Sequence, residues 1–118
     1  MSTEPIQYRI KDKELTVGDF KNIFKYPIKE HLEFEGMIIV LLDVPINVVY
    51  NENVFGVSLI DNHTWQIEKR DYPTGYKGQC PFTSLVIWNG NLRLNNWCSK
   101  YFIVNPWSGK IQEEGETR

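Results

Sequence analysis

The chain carries the segment LEFEGMIIVLL at residues 32–42 and repeats its pattern as VIWNGNLRL at residues 86–94. A second pair follows in the same order, because FGVSLID and then WQI (residues 55–67) are matched by FIVNP and then IQ (residues 102–112). Each unit reads as strand, glycine turn, strand, loop, strand, polar turn and strand. Repetition of a whole unit constrains the fold class more tightly than any single motif does. The sequence therefore predicts two similar four-stranded β units.

The two units occupy residues 27–71 and 72–112 of a single 118-residue domain, with a charged, mobile tail at residues 113–118. The offset between matched residues falls by eight along the repeat, and the longer loop at residues 43–53 of the first unit absorbs this difference. Residues 71–81 are rich in proline and glycine, so they are predicted to be an irregular surface linker between the units. The strongest local signal is Asn89-Gly90, which favours a type I′ hairpin turn.

Residues 1–26 predict a short strand from Ile6 to Ile10 and then one amphipathic helix over residues 17–25. Thr16 is interpreted as the N-cap of this helix, with Asp19 three residues later as in a capping box. One helical face would then carry the apolar side chains Val17, Phe20, Ile23 and Phe24. The continuous apolar run at residues 37–42 predicts a strand covered on both faces, by the helix on one side and the second unit on the other.

The sequence YFIVNPWSGKI at residues 101–111 resembles a blade motif of quinoprotein-type β-propellers. In that motif the third strand ends in an Asp-Pro-x-Thr-Gly-Lys turn and the fourth strand carries a tryptophan. Here Asn105 replaces the aspartate and Ser108 replaces the threonine, while the first unit has Trp65 on its fourth strand. The resemblance covers two blades, and propellers need about four or more to close. It implies a blade-like strand order and no functional residues.

The predicted fold class is therefore α+β and mostly antiparallel β. Two four-stranded blade-like repeats would pack together as a sandwich or a small barrel, with one N-terminal amphipathic helix. Each unit has strands with one apolar face, and those faces need a cover. Dimerisation could supply that cover instead.

Charge divides the chain more sharply than its net value of −2 suggests. Residues 27–71 hold three basic and eight acidic residues, a balance of −5, whereas residues 72–112 hold four basic residues and no acid. The small net charge does not favour nucleic-acid or membrane binding. No signal peptide is recognised in Met1–Pro5, and the longest apolar run is too short to span a bilayer. We therefore expect a cytoplasmic protein.

Cys80 and Cys98 show no CxxC or zinc-ligand spacing. In a cytoplasmic protein they are most simply free thiols, and a disulfide stays open as the alternative for a secreted chain. His31 and His63 are interpreted as a strand-surface and a turn residue. Although Glu33, Asp43 and Asp61 could join them in a site, no phosphate loop, nucleophile elbow or HExxH motif occurs. No catalytic residue, metal or cofactor is predicted.

A surface for binding another protein is the function that the sequence favours, with an immunity or inhibitor-like role in a bacterium as the leading hypothesis. The partner-binding residues would be Glu33, Glu35, Asp43, Val48, Val49, Tyr50 and Glu52, an acidic patch beside an apolar loop. The alternative is a small-molecule or carbohydrate-binding module that stacks its ligand on Tyr76, Trp88, Trp97 and Trp107. An uncharacterised enzyme ranks third.

Overall fold

The computed structural model describes residues 7–70 and 78–117, and there the chain forms eleven β-strands and no helix. The strand bounds are β1 Tyr8–Lys11, β2 Glu14–Val17, β3 Phe20–Ile23, β4 Ile28–Phe34, β5 Met37–Leu42, β6 Val54–Ser58, β7 Thr64–Gln66, β8 Phe82–Trp88, β9 Asn91–Asn96, β10 Lys100–Val104 and β11 Ile111–Glu116. They make three antiparallel sheets: an N-terminal sheet (β1-β2-β3), a central sheet (β4-β5-β6-β7) and a C-terminal sheet (β11-β10-β9-β8). The prediction of an α+β fold is therefore wrong.

Some predictions concern residues outside the described part of the chain. These are the reading of Met1–Pro5, the start of the first strand at Ile6, most of the linker at residues 71–81 and the stacking role of Tyr76.

The central sheet lies between the other two sheets, because both faces of β5 are apolar. All six residues of β5 are buried. Met37, Ile39 and Leu41 belong to a core shared with the C-terminal sheet. The alternate residues Ile38, Val40 and Leu42 pack against the N-terminal sheet. The prediction that this strand is covered on both faces is confirmed, but a β-sheet stands where the helix was expected.

Residues 17–25 begin with a hairpin instead of a helix. β2 ends at Val17, Gly18 takes a φ of 58°, and β3 starts at Phe20. Thr16 pairs within the sheet, so it is not an N-cap. The side chain of Phe20 is 60% exposed, although the helical pattern assigned it to the core. Glycine is a poor helix former and readily supplies the positive φ of a tight hairpin turn, so the turn chemistry overrides the apolar spacing.

The first hairpin of each four-stranded sheet has an equivalent turn that contains glycine. Glu35 and Gly36 have φ values of 55° and 78°, and Asn89 and Gly90 have 51° and 77°. Positive φ at both central residues is the mark of a type I′ turn, which confirms the Asn-Gly prediction. The connection between β5 and β6 spans eleven residues and that between β9 and β10 spans three, so the repeat offset changes in a loop.

The charged C-terminal segment was expected to be a mobile tail, and for residues 113–116 this is wrong. Residues Ile111–Glu116 form β11, which pairs with β10 along its length. The Glu114 carboxylate lies 3.5 Å from Arg70 and 3.9 Å from Lys100. Acidic side chains on an edge strand discourage pairing with other chains, so the charge of this segment is compatible with a strand.

Trp65 joins the central sheet to the C-terminal sheet. Its ring is 7% exposed and its indole Nε1–H donates to the Pro106 carbonyl at 2.8 Å. A Cβ on Gly56 would lie 2.3 Å from this ring and one on Gly109 would lie 2.5 Å from it. Both glycines therefore leave the space that the indole fills. The tryptophan of the first unit contacts the Pro-x-x-Gly turn of the second.

Candidate binding site

The loop at residues 43–53 closes one end of the sheet stack, and two buried asparagines fasten it. Asn53 donates to the carbonyls of Leu42 and Phe82 at 3.0 Å, and its Oδ1 accepts the N–H of Phe82 at 2.8 Å. Asn51 donates to the Gly78 carbonyl and accepts the N–H of Cys80, both at 2.7 Å. Buried backbone groups that face a loop need such partners. These bonds hold the loop against the start of β8.

Cys80 and Cys98 form a disulfide at the same end, with their Cα atoms 5.4 Å apart. The expectation of free thiols is therefore wrong. The hairpin at residues 97–99 brings Cys98 beside the start of β8, and the N–H of Trp97 donates to the Pro81 carbonyl at 2.8 Å. The two cysteines lie 18 positions apart in sequence, and the folding of β8 onto β9 makes them neighbours.

A cleft of about 290 Å³ opens beside this disulfide, and we name it the end cleft. Its walls include the apolar side chains of Pro45, Ile46, Pro81 and Trp97, with Lys29 and Asp43 as charged members. Ile46 is 80% exposed and Trp97 is 59% exposed. A site with mostly apolar walls and a few polar groups is the usual form of a binding pocket.

The apolar rim of the end cleft is held in place. The amide Nε2 of Gln79 donates to the carbonyls of Ile46 and Val48. The carbonyl of Gln79 in turn lies 3.5 Å from the sulfur of Cys98. The backbone that carries the exposed Ile46 side chain is thus held by hydrogen bonds within the protein. Such preorganisation reduces the entropy lost when a partner binds.

The structure divides the predicted partner-binding residues between two ends of the central sheet. Residues 43–52 carry Asp43, Val48, Val49, Tyr50 and Glu52, all at the loop end. Glu33 and Glu35 lie at the β4–β5 hairpin, on the far side of a strand of about 20 Å. The acidic patch is therefore not continuous.

Tyr50 is the aromatic residue of this loop, and its side chain is half-buried. Its ring packs edge-on against Tyr26 with 5.4 Å between centroids, and Lys25 lies 5.4 Å from its ring centre. Burial raises the pKa of the Tyr50 phenol above its ordinary value, and the hydrogen bond from Gln66 opposes that shift. The Tyr50 ring therefore contributes to packing between this loop and Tyr26.

The predicted stacking tryptophans do not converge. Trp97 lies in the β9–β10 hairpin at the end cleft, whereas Trp88 and Trp107 lie at the opposite end of the C-terminal sheet. The indole of Trp107 donates to the Glu35 carbonyl at 3.0 Å, which ties this sheet to the β4–β5 hairpin. The guanidinium of Arg93 lies 5.2 Å from the Trp88 ring centre.

The two histidines are also separated. His31 lies on β4 with its ring edge-on to Tyr8, and His63 lies in the β6–β7 turn. β4 and β7 are opposite edges of the central sheet, about 14 Å apart by three strand spacings. Within residues 7–70 and 78–117, no three histidine, cysteine or acidic side chains are grouped to hold a metal ion. In the same ranges no helix has the length and apolarity to cross a membrane.

Several residues that line the end cleft or fasten the loop beside it have no clear signal in the sequence. The sequence alone gives no reason to distinguish Asn51, Asn53 and Gln79 from other loop residues. It predicts Lys29 to be a residue on the surface of a strand. A cue that existed was the polar N-x-N spacing next to an apolar run, because short amides often satisfy loop backbone. Their roles depend on contacts across more than 25 residues of sequence.

The described residues define an all-β fold of three stacked antiparallel meanders. The chain belongs to the family described as Domain of unknown function (DUF7957), whose model matches residues 6–116. A search of curated proteins and a search of solved structures find no match to the chain.

Proposed function

We propose that this protein is a non-enzymatic domain that binds another protein through the end cleft and its rim. The observation that carries the proposal is that large apolar side chains stand exposed on the fastened loop at residues 43–53 and on the neighbouring β9–β10 hairpin. Ile46 is 80%, Val49 60% and Trp97 59% exposed. Single exposed apolar residues are ordinary, but an exposed group around a concavity marks an interaction site.

Aromatic and aliphatic anchors at the centre of an interface carry most of the binding energy. Trp97 and Ile46 flank the same cleft and fit that role. Lys29 and Asp43 lie beside them and supply the charged rim that sets orientation. A protein partner would cover the end cleft and its rim, whereas a small ligand would occupy only the cleft, whose volume is about 290 Å³.

Within this class, we propose an immunity or inhibitor-like role in a bacterium. Such a protein needs a surface and no reacting groups. The opposite charges of the two units, −5 over residues 27–71 and +4 over residues 72–112, would orient an incoming partner and raise its association rate.

The compartment proposal follows from the disulfide. Disulfides persist in oxidising compartments and are rare in the reducing cytoplasm. The cytoplasmic residence favoured by the sequence conflicts with the Cys80–Cys98 bond. We therefore propose an oxidising compartment, which is tested by titrating thiols in protein extracted from its native host under acid quench.

The function is tested by affinity capture from the native host with three immobilised proteins: wild type, Ile46→Asp and Ile60→Asp. Ile60 is a matched control, because it is 83% exposed and lies in the β6–β7 turn at the opposite end of the central sheet. We expect a protein that wild type and Ile60→Asp retain and Ile46→Asp loses. Equal capture by all three proteins would show that the end cleft is not the binding site.

The carbohydrate alternative has Trp97 in its favour, since this indole is exposed beside a cleft. A thermal-shift screen with mono- and oligosaccharides measures it directly. A saccharide that raises the Tm of wild type but not of Trp97→Ala, together with no specific protein capture, would replace the protein-binding proposal by this one.

A further inference from the structure

Strand β8 is an unusual edge strand in this fold. The described residues place β1, β3, β4, β7, β8 and β11 at sheet edges. Charged side chains occur on β1, β3, β4 and β11, and β7 has only three residues. β8 spans seven residues, Phe82–Trp88, and carries no charge. Charge and shortness are the usual means by which edge strands avoid pairing with other chains, and β8 has neither.

The hydrogen-bonding groups of Ile87 point to the open side of β8. In an antiparallel ladder, alternate residues direct their N–H and C=O groups to one neighbour and then to the other. The N–H of Leu85 donates outward to Glu30 Oε1 at 3.2 Å, away from β9. Ile87 lies two residues later in an unbroken register, opposite Leu92. Its N–H and C=O therefore face outward as well.

The side chains around Ile87 are exposed. Val86 is 38%, Ile87 40% and Trp88 46% accessible, whereas Phe82 at the start of the strand is 3% accessible. Val86 pairs with Arg93, whose guanidinium lies over the Trp88 ring. The second half of β8 thus offers apolar surface together with outward-facing strand hydrogen-bonding groups.

We propose that a second copy of this chain pairs with the open edge of β8, antiparallel and with the two-fold axis at Ile87. The two Ile87 residues would exchange both N–H···O=C bonds, which is the geometry of a hydrogen-bonded antiparallel pair. Val86 of each copy would face Trp88 of the other, a β-branched–aromatic pair of the kind that stabilises sheets. The same patch is used on both subunits, as a two-fold interface requires.

Glu30 favours a second copy over a long peptide strand. A peptide that ran along the whole of β8 would need the N–H of Leu85, which the Glu30 carboxylate already accepts. Two-fold pairing centred on Ile87 uses only Ile87 on each side. Because β8 is uncharged, two copies also meet without like charges opposite each other.

This inference is independent of the proposed function. Residues Val86–Trp88 lie at the hairpin end of β8, and the end cleft lies at its start. A dimer would keep both clefts open at its two ends.

The test is sedimentation equilibrium of wild type, Ile87→Lys and Ile60→Lys over a wide concentration range, with circular dichroism to verify folding. We expect wild type and Ile60→Lys to dimerise with the same Kd. Lysines opposed at the two-fold axis would raise the Kd of Ile87→Lys by about tenfold or more. A wild type that stays monomeric, or a dimer that Ile87→Lys leaves unchanged, would overturn the proposal.

Amide hydrogen exchange of wild type gives a second readout that needs no variant. The Ile87 amide should become protected as concentration rises, and the Val86 amide, which faces β9, should not change. If the protein dimerises while Ile87 exchanges at a constant rate, the interface lies elsewhere and the pairing is refuted.

Discussion

Removing the Cys80–Cys98 disulfide should destabilise this protein without changing its fold. A crosslink stabilises mainly because it restricts the unfolded chain. The sequence separation here is 18 residues, for which the chain-entropy relation gives about 3 kcal/mol. Unfolding entropy of about 2.1 cal/mol/K per residue gives roughly 0.25 kcal/mol/K for the 118-residue chain. The Tm should therefore fall by about 12 °C.

The assay compares oxidised wild type, reduced wild type and the double variant Cys80→Ala/Cys98→Ala by thermal and urea unfolding. Cys80 is fully buried and Cys98 is 8% exposed, so reduction must be carried out in denaturant before refolding in reductant. Thiol titration in denaturant should find no free thiol in the oxidised protein. Reduced wild type separates loss of the crosslink from loss of the sulfur atoms, because it keeps both side chains.

The reasoning is refuted if freshly purified protein shows two free thiols per chain, because the cysteines would then not be paired. It is also refuted if oxidised and reduced wild type unfold at the same temperature. A fall in Tm only in the double variant would assign the effect to packing around Cys80 instead.

Three further predictions concern packing, loop anchoring and pH. Gly56→Ala places a Cβ 2.3 Å from Trp65, so urea unfolding should show a loss of about 1–3 kcal/mol. Asn53→Ala leaves buried backbone groups of the loop without partners, and the same assay should show a loss of about 2–4 kcal/mol. The N–H of His63 donates a hydrogen bond to the Asp61 carboxylate, and this bond lowers the pKa of the carboxyl from its ordinary value of 3.8. The stability that Asp61 adds is thus present above pH 3.8 and is lost as pH falls through the lowered pKa, so the Tm gap to Asp61→Asn should close in acid.

Each of the three has an outcome that contradicts it. Unchanged stability of Gly56→Ala would mean that the Trp65 ring can move aside. Asn53→Ala should cost more than Asn47→Ala, an exposed control in the same loop, and equal costs would show that the buried amide is not an anchor. A Tm gap for Asp61→Asn that widens in acid would reverse the sign of the linkage.

Strand positions in the two four-stranded units could be read from sequence because local signals agree there. The glycine turns at Gly36 and Gly90 supply the positive φ that type I′ turns need. The apolar run of β5 predicted its burial on both faces. Where local signals disagreed, the prediction was wrong. The helical spacing from Val17 to Phe24 predicted a helix, but the chain forms a hairpin turn at Gly18.

The end cleft could not be read in the same way. Gln79 contacts Ile46, and Asn53 contacts Phe82, across about 30 residues of sequence. Nothing local to these residues specifies such contacts. The predicted partner-binding residues are divided between two ends of the central sheet for the same reason, because residues close in sequence can lie at opposite ends of a strand.

The duplicated pattern at residues 32–42 and 86–94 was enough to set strand order and hairpin turns, since these depend on backbone conformation and on alternation within a few residues. The stacking of three sheets was decided in three dimensions. So were the pairing of Cys80 with Cys98 and the exposure of Ile46 beside Trp97. These features depend on which faces meet when separate units bury their apolar surfaces together, and that information is distributed over the whole chain.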